Sequence, residues 1–204
     1  MKNISPQLEG LDRVGGHPAL DFINTVHAWH GEEPGEDHLI DFAHLLRWNQ
    51  LADLVGPRGS QALDSGSLAE QEAAVAAART LRQHLHKLFQ AVVANTALPQ
   101  ASLDYLNAVI RDTVRWRKIA AQGARVGCSW NFTGAPPAAI IGPVAWKAVD
   151  LLEFGPVERI KQCPSDNCAW LFLDTSKNRS RTWCSMKACG NSAKVRAFRA
   201  RQTA

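Results

Sequence analysis

The 204-residue chain has no run of about eighteen apolar residues, which excludes a membrane-spanning helix. Its opening stretch, MKNISPQLEGLDRVGGHPALDFINTVHAWH, lacks an unbroken apolar h-region, which argues against a secretory signal and for a cytoplasmic protein. G-x-S-x-G, the P-loop and G-x-G-x-x-G are all missing, so neither a nucleophile elbow nor a nucleotide-binding glycine loop supports an enzyme reading. There is no internal repeat and no low-complexity tract. A hydrophobic share of 46% with 21% charged residues excludes wholesale disorder.

Two residue types are unevenly spread. Histidine is absent after His86, and before residue 163 cysteine occurs only at Cys128. The net charge of +4 hides a similar division. Residues 1–158 hold 13 Lys+Arg and 17 Asp+Glu, whereas residues 159–204 hold 10 and 2. An acidic body thus precedes a basic tail that carries four of the five cysteines.

The body reads as mainly helical. HPALDFINTV is a short amphipathic piece that brings Leu20, Ile23 and Asn24 together, and the polar loop GEEPGED follows it. Leu39, Phe42, Leu46 and Leu54 fall near helical spacing before Gly56-Pro57. Ser67 and Glu70 form a capping box ahead of a stripe from Ala74 to Val92, which predicts a helix running to about Thr96. Leu103, Leu106, Ile110 and Val114 predict another from Ser102 to about Ala120. The period then changes. Val126, Cys128, Trp130 and Phe132 alternate as in a half-buried strand, with Cys128 expected as a small core residue. A second strand over Ala138–Ile141 is weakly signalled. Pro143 opens a helix through Leu152, and Gly155-Pro156 marks the boundary between residues 1–157 and 158–204.

Cys163 and Cys168 are followed fifteen residues later by Cys184 and Cys189. Two close cysteine pairs around a short hairpin are how small modules assemble a closed tetrahedral zinc shell. The expected hairpin runs out along Ala169–Leu173, turns at Thr175–Asn178 and returns along Arg179–Trp183. A pair of disulfides is the competing reading, and it needs an oxidising compartment. A 46-residue module is too small to be held by core burial alone, so a staple is expected. We therefore expect one structural zinc per chain, held by Cys163, Cys168, Cys184 and Cys189. Trp170 and Trp183 are expected in the module's own core.

The segment WLFLDTSKNRSRTWCSMKACGN resembles the CGNR zinc-finger family, and HPALDFINTV resembles the start of the ABATE domain that commonly precedes this finger. The resemblance implies a stress-induced transcription regulator, with DNA as the expected partner. One position departs from the motif: Cys189-Gly190-Asn191 is followed by Ser192, where the family has arginine.

The tail's chemistry suits a phosphate backbone. Arg179 and Arg181, two apart near the hairpin, are expected to point to one side. Lys187 lies between the third and fourth ligands, and Lys194, Arg196, Arg199 and Arg201 lie on a last helix. Val195 and Phe198 would give that helix one apolar edge facing the module, and Asn191 and Ser192 would cap it. Zinc with four thiolates carries a formal −2, which trims the tail from +8 to +6 and keeps its sign. The alternative is a protein-interaction module whose basic finger docks a partner or its own acidic domain.

The third reading makes the helical domain a sensor for a small-molecule effector of unknown identity, with Asn24 and Trp29 as pocket-lining residues. Self-association is left open. An enzyme is the weakest reading. His27, His30, His38 and His44, near Asp21, Glu32, Glu33, Glu36 and Asp37, surround a polar loop and read as solvated. His84 and His86 point to different helix faces.

Overall fold

The computed structural model of the chain describes residues 13–27, 36–165 and 168–202. Trp29, His30 and the glutamates Glu32 and Glu33 lie outside the described residues. The fold is mainly helical with two small antiparallel sheets.

Helix α1 (Pro18–Ile23) starts at His17, whose ring nitrogen accepts the Ala19 N–H, with proline in the first turn. Helix α2 (Phe42–Leu51) is capped by Asp41. It ends at Leu51, short of the expected stop at Gly56-Pro57, with Asp53 in a left-handed backbone just beyond; Gly56-Pro57 instead opens a further short helix, α3 (Pro57–Leu63). The long α4 (Leu68–Ala94) begins at the Ser67–Glu70 capping box and ends at Asn95, whose left-handed backbone closes it. It is the spine of the core: Leu81, Leu85, Leu88 and Phe89 are fully buried.

Helix α5 (Gln100–Thr113) stops earlier than the apolar stripe predicts. Residues expected to continue it form β1 (Arg117–Gln122), which pairs with β2 (Arg125–Trp130) through a two-residue turn. Gly123 takes a positive φ there, as such turns require. Pairing with β2 overrides the helical propensity of Ala120-Ala121-Gln122. Cys128 is exposed on this hairpin, not in the core; β1 and β2 form a two-stranded ribbon that no third strand among the described residues joins. The expected strand at 138–141 is a 3-10 turn (Pro137–Ile141) that leads into α6 (Gly142–Phe154).

The tail forms β3 (Ile160–Gln162) and β4 (Leu171–Leu173), an antiparallel pair. This corrects the expected hairpin. The partner of β4 is the segment before the first cysteine pair, and Arg179–Trp183 forms no strand. Ile160, Leu171 and Leu173 belong to the same apolar core as α1, α4 and α6, so the tail leans on the body as well as on its own cluster.

Two buried ionisable groups in this core shift in opposite directions. Burial pushes the Asp21 carboxyl up to about 6, against the Gly15 N–H it accepts at 2.8 Å and the charges of Arg13 and Arg181. Burial pushes His86, on α4, down to about 4. Native Asp21 therefore keeps a proton that the unfolded chain releases near its ordinary 3.8; its contribution is present at low pH and is lost as pH rises through about 6. Native His86 resists a proton that the unfolded chain takes up near 6.5, so its contribution is present above that pH and is lost as pH falls toward 4. Asp21→Asn removes the first effect alone. Relative to the unaltered protein, the variant should lose about 1.4 kcal/mol per pH unit on going from pH 6 to pH 4. Urea unfolding across this range checks it; parallel stability curves would contradict the assignment.

Candidate metal centre and basic helix

Cys163 leaves the end of β3, and Cys168 precedes β4, so the first pair sits at the tip of the β3–β4 hairpin. The Cys163 N–H donates to Trp170 O at 2.8 Å and the Cys168 N–H to Ser165 O at 3.0 Å. Ala169 takes a left-handed backbone to turn the chain back, an uncommon conformation for a residue with a Cβ. Cys184 and Cys189 come from the start of the last helical segment. A π-helical turn (Met186–Gly190) runs there into α7 (Asn191–Gln202). A hairpin tip plus a helix start is a treble-clef-like arrangement. The cap is Ser185, whose Oγ accepts the Ala188 N–H at 3.3 Å, rather than Asn191 or Ser192, which lie within the helix.

All four sulfurs lie within 4.8 Å of one another. Cys168 Sγ is 3.5 Å from Cys184 Sγ, which is 3.6 Å from Cys189 Sγ. These separations are far beyond a disulfide bond of about 2.05 Å. They are close to the sulfur–sulfur edge of about 3.8 Å that a tetrahedron with zinc–sulfur bonds of about 2.3 Å requires. The electrostatics agree. Hydrogen bonds from the Cys168 and Cys184 thiols push Cys163 down to about 2, so one thiolate forms readily. That anion, accepting their protons, pushes Cys168 up to about 12 and raises Cys184 as well. Four thiolates this close need a dication among them, and the four-sulfur set suits zinc in a closed, structural shell.

The shell around the cluster is built from the tail and the N-terminal segment together. Trp170 and Phe172 are buried against the cysteines, with Trp183 and Val14 packed beside them. Trp170 Nε1 donates to Val26 O at 2.8 Å, and His27 stacks on the Trp170 ring at 4.9 Å. Asn24, read from sequence as pocket-lining, spends its whole amide on Leu171: Nδ2 donates to Leu171 O at 2.8 Å, and Oδ1 accepts the Leu171 N–H at 3.0 Å. Asp174 is fully buried. Burial alone would raise its carboxyl, but Lys161 at 2.7 Å, the Ser176 hydroxyl and the Ser176 N–H hold it well below the ordinary range.

Residues 16–154 match the family model described as "Putative stress-induced transcription regulator", the ABATE domain. The chain belongs to the ABATE family. Behind this domain, residues 159–202 match the CGNR zinc finger, with the four cysteines positioned to hold one metal ion. A search of curated proteins found no match. No helix among the described residues is long and apolar enough to cross a membrane.

The structure separates the basic residues of the finger. Arg181 does not share a side with Arg179. Its guanidinium lies 4.4 Å over the Phe172 ring and donates to Leu173 O, to Val14 O at 2.7 Å and to Cys184 O, so it braces the finger against the segment just ahead of the ABATE domain. Arg179, on a left-handed backbone, is exposed and pairs with Glu158 at 3.3 Å. Lys187, Lys194, Arg196, Arg199 and Arg201 are exposed, and Arg196 also reaches Ser165 Oγ at 3.4 Å. Val195 and Phe198 do not face the module: they are 49% and 56% exposed, because α7 runs out beyond the small cluster that could have covered them. Ser192 is exposed in the first turn.

The histidines of the ABATE domain are not all solvated, as the sequence suggested. His38, His44 and His86 are buried. His44 Nδ1 sits 2.7 Å from the Asp41 carboxylate at the start of α2, and His38 meets His27 edge-on. Among the described residues, the four cysteines are the one group of three or more His, Cys, Asp or Glu side chains placed to hold a metal.

Proposed function

We propose that this protein is a cytoplasmic transcription regulator that binds DNA through the basic surface of its zinc finger, with the ABATE domain as an effector-sensing half. The observation that carries the reading is the charge of the chain after Asp174. Residues 175–204 hold eight Lys and Arg and no Asp or Glu, and α7 presents Lys194, Arg196, Arg199 and Arg201 to solvent. Asp174 adds no exposed negative charge, because it is buried against Lys161. Phosphate contacts are assigned to Arg179, Lys187, Lys194, Arg196, Arg199 and Arg201. Arg181 is assigned to bracing. The exposed Val195 and Phe198 lie between cations on α7, where they would meet sugar and base edges once the phosphates are engaged.

Salt dependence tests this. The logarithm of affinity for random duplex DNA should fall with log salt at about 0.9 per phosphate contact, reaching a slope near −5 if all six cations engage. Arg199→Gln should flatten the slope by about 0.9 and leave folding intact. A slope near zero, or no binding in ~50 mM salt, would favour docking onto a protein partner or the acidic domain instead.

A further inference from the structure

A cleft of about 750 Å³ opens between the start of α3, the β1–β2 hairpin and α6, in a part of the ABATE domain that the zinc centre does not use. Three aromatic rings line it: Trp130 and Phe132, stacked at 5.8 Å with planes 8° apart, and Trp146. Three cations reach it, Arg58, Arg117 and Lys147, against two carboxylates, Asp53 and Asp150. The Arg117 guanidinium lies 4.2 Å from the centre of the Trp146 ring. Trp146 Nε1 is buried and, among the described residues, has no acceptor.

The cleft is held by close packing. At Gly142 a Cβ would come within 2.9 Å of the Trp130 ring and 2.8 Å of Thr113, and at Gly59 within 3.1 Å of Phe132. The aromatic wall is thus set by backbone approaching it directly. Flat rings favour a flat apolar partner. The surplus positive charge favours an anion, and Arg117 already occupies the Trp146 face that a ligand cation would seek.

We infer that this cleft binds a small aromatic anion, a flat ring system carrying a carboxylate or a comparable acidic group. Arg117, held over Trp146, and Lys147 take the negative charge, and Trp130 takes the ring. The inference deepens the effector half of the proposed function and names its site. It places the effector here and not at Asn24, whose amide is spent on Leu171. Cys128 lines the same cleft, is exposed, and is the only cysteine of the five outside the metal cluster, so its thiol reports occupancy.

The test uses the zinc-loaded full chain without DNA, so its outcome is separate from that of the DNA titration. 1-Naphthoate, its neutral amide and 1-naphthylmethylammonium are titrated by calorimetry, while the rate of Cys128 alkylation by iodoacetamide is followed in parallel. The carboxylate should bind at least about tenfold more tightly than the amide, the ammonium should bind weakest, and Cys128 alkylation should slow in step with occupancy. Arg117→Gln and Lys147→Gln should each weaken naphthoate several-fold and leave the amide unchanged. Both side chains lie at the surface of the cleft, and an unchanged melting temperature confirms that each variant is folded. Equal affinity for the three probes, binding that leaves Cys128 unprotected, or no binding at millimolar naphthoate would each overturn the inference.

Discussion

Replacing Cys184 with serine is expected to remove the metal ion and the order of the finger together. Cys184 is one of the four ligands, 3.5 Å from Cys168 Sγ and 3.6 Å from Cys189 Sγ, so its loss opens the shell. A structural zinc contributes on the order of 10 kcal/mol to the fold that holds it, comparable to the whole stability of a typical domain. The damage should not stop at the finger. Ile160, Leu171 and Leu173 belong to the main core, so a disordered hairpin uncovers α1 and α4 as well. Metal analysis should fall from one zinc per chain to near zero, and the melting transition of the whole chain should shift down sharply. Cys128→Ser is the control and should keep its zinc. Full zinc retention by Cys184→Ser would contradict the four-cysteine site, as would disulfides among the four in the unaltered protein.

The second large effect is expected at Asn24, through a different mechanism. Its side chain acts as a one-residue strand beside β4, giving Leu171 both an acceptor and a donor at a site that is 2% exposed. Asn24→Ala leaves the Leu171 N–H and C=O buried with neither partner. At about 1–3 kcal/mol for each unsatisfied group, the cost is about 4 kcal/mol. Asn24→Asp should also destabilise, since it keeps the acceptor but loses the donor and buries a charge. The metal should stay bound in both variants, which separates this effect from that of Cys184→Ser. Equilibrium unfolding gives the energy, and amide exchange at Leu171 locates it. A loss below about 1 kcal/mol for Asn24→Ala would mean that the clamp is not what joins the two halves.

Much of this molecule can be read without coordinates, for local reasons. The Ser67–Glu70 capping box and the stripe behind it define α4 because both signals act within a few turns. The zinc site is legible because two close cysteine pairs at this spacing match the way small modules gather four thiolate ligands. Other features misled. The stripe of α5 continues past Thr113 on paper, yet pairing with β2 takes over the chain from Arg117 onward. Gly123 was the one local signal of that hairpin. The strand alternation at Val126 and Cys128 was correct in period but not in burial, since a two-stranded ribbon can leave its apolar residues in solvent.

The sequence by itself determined the four-cysteine module, the charge division and the helical character of the body, because each depends on residue type and near-neighbour spacing. Tertiary structure alone decided the partners. It set β4 against β3, turned Arg181 inward and Phe198 outward, joined Asn24 to a residue 147 positions away, and brought Arg58, Arg117 and Lys147 around one aromatic cleft. These outcomes follow from which surfaces remain to be covered once the core has closed, and that competition between distant segments leaves no mark at short range.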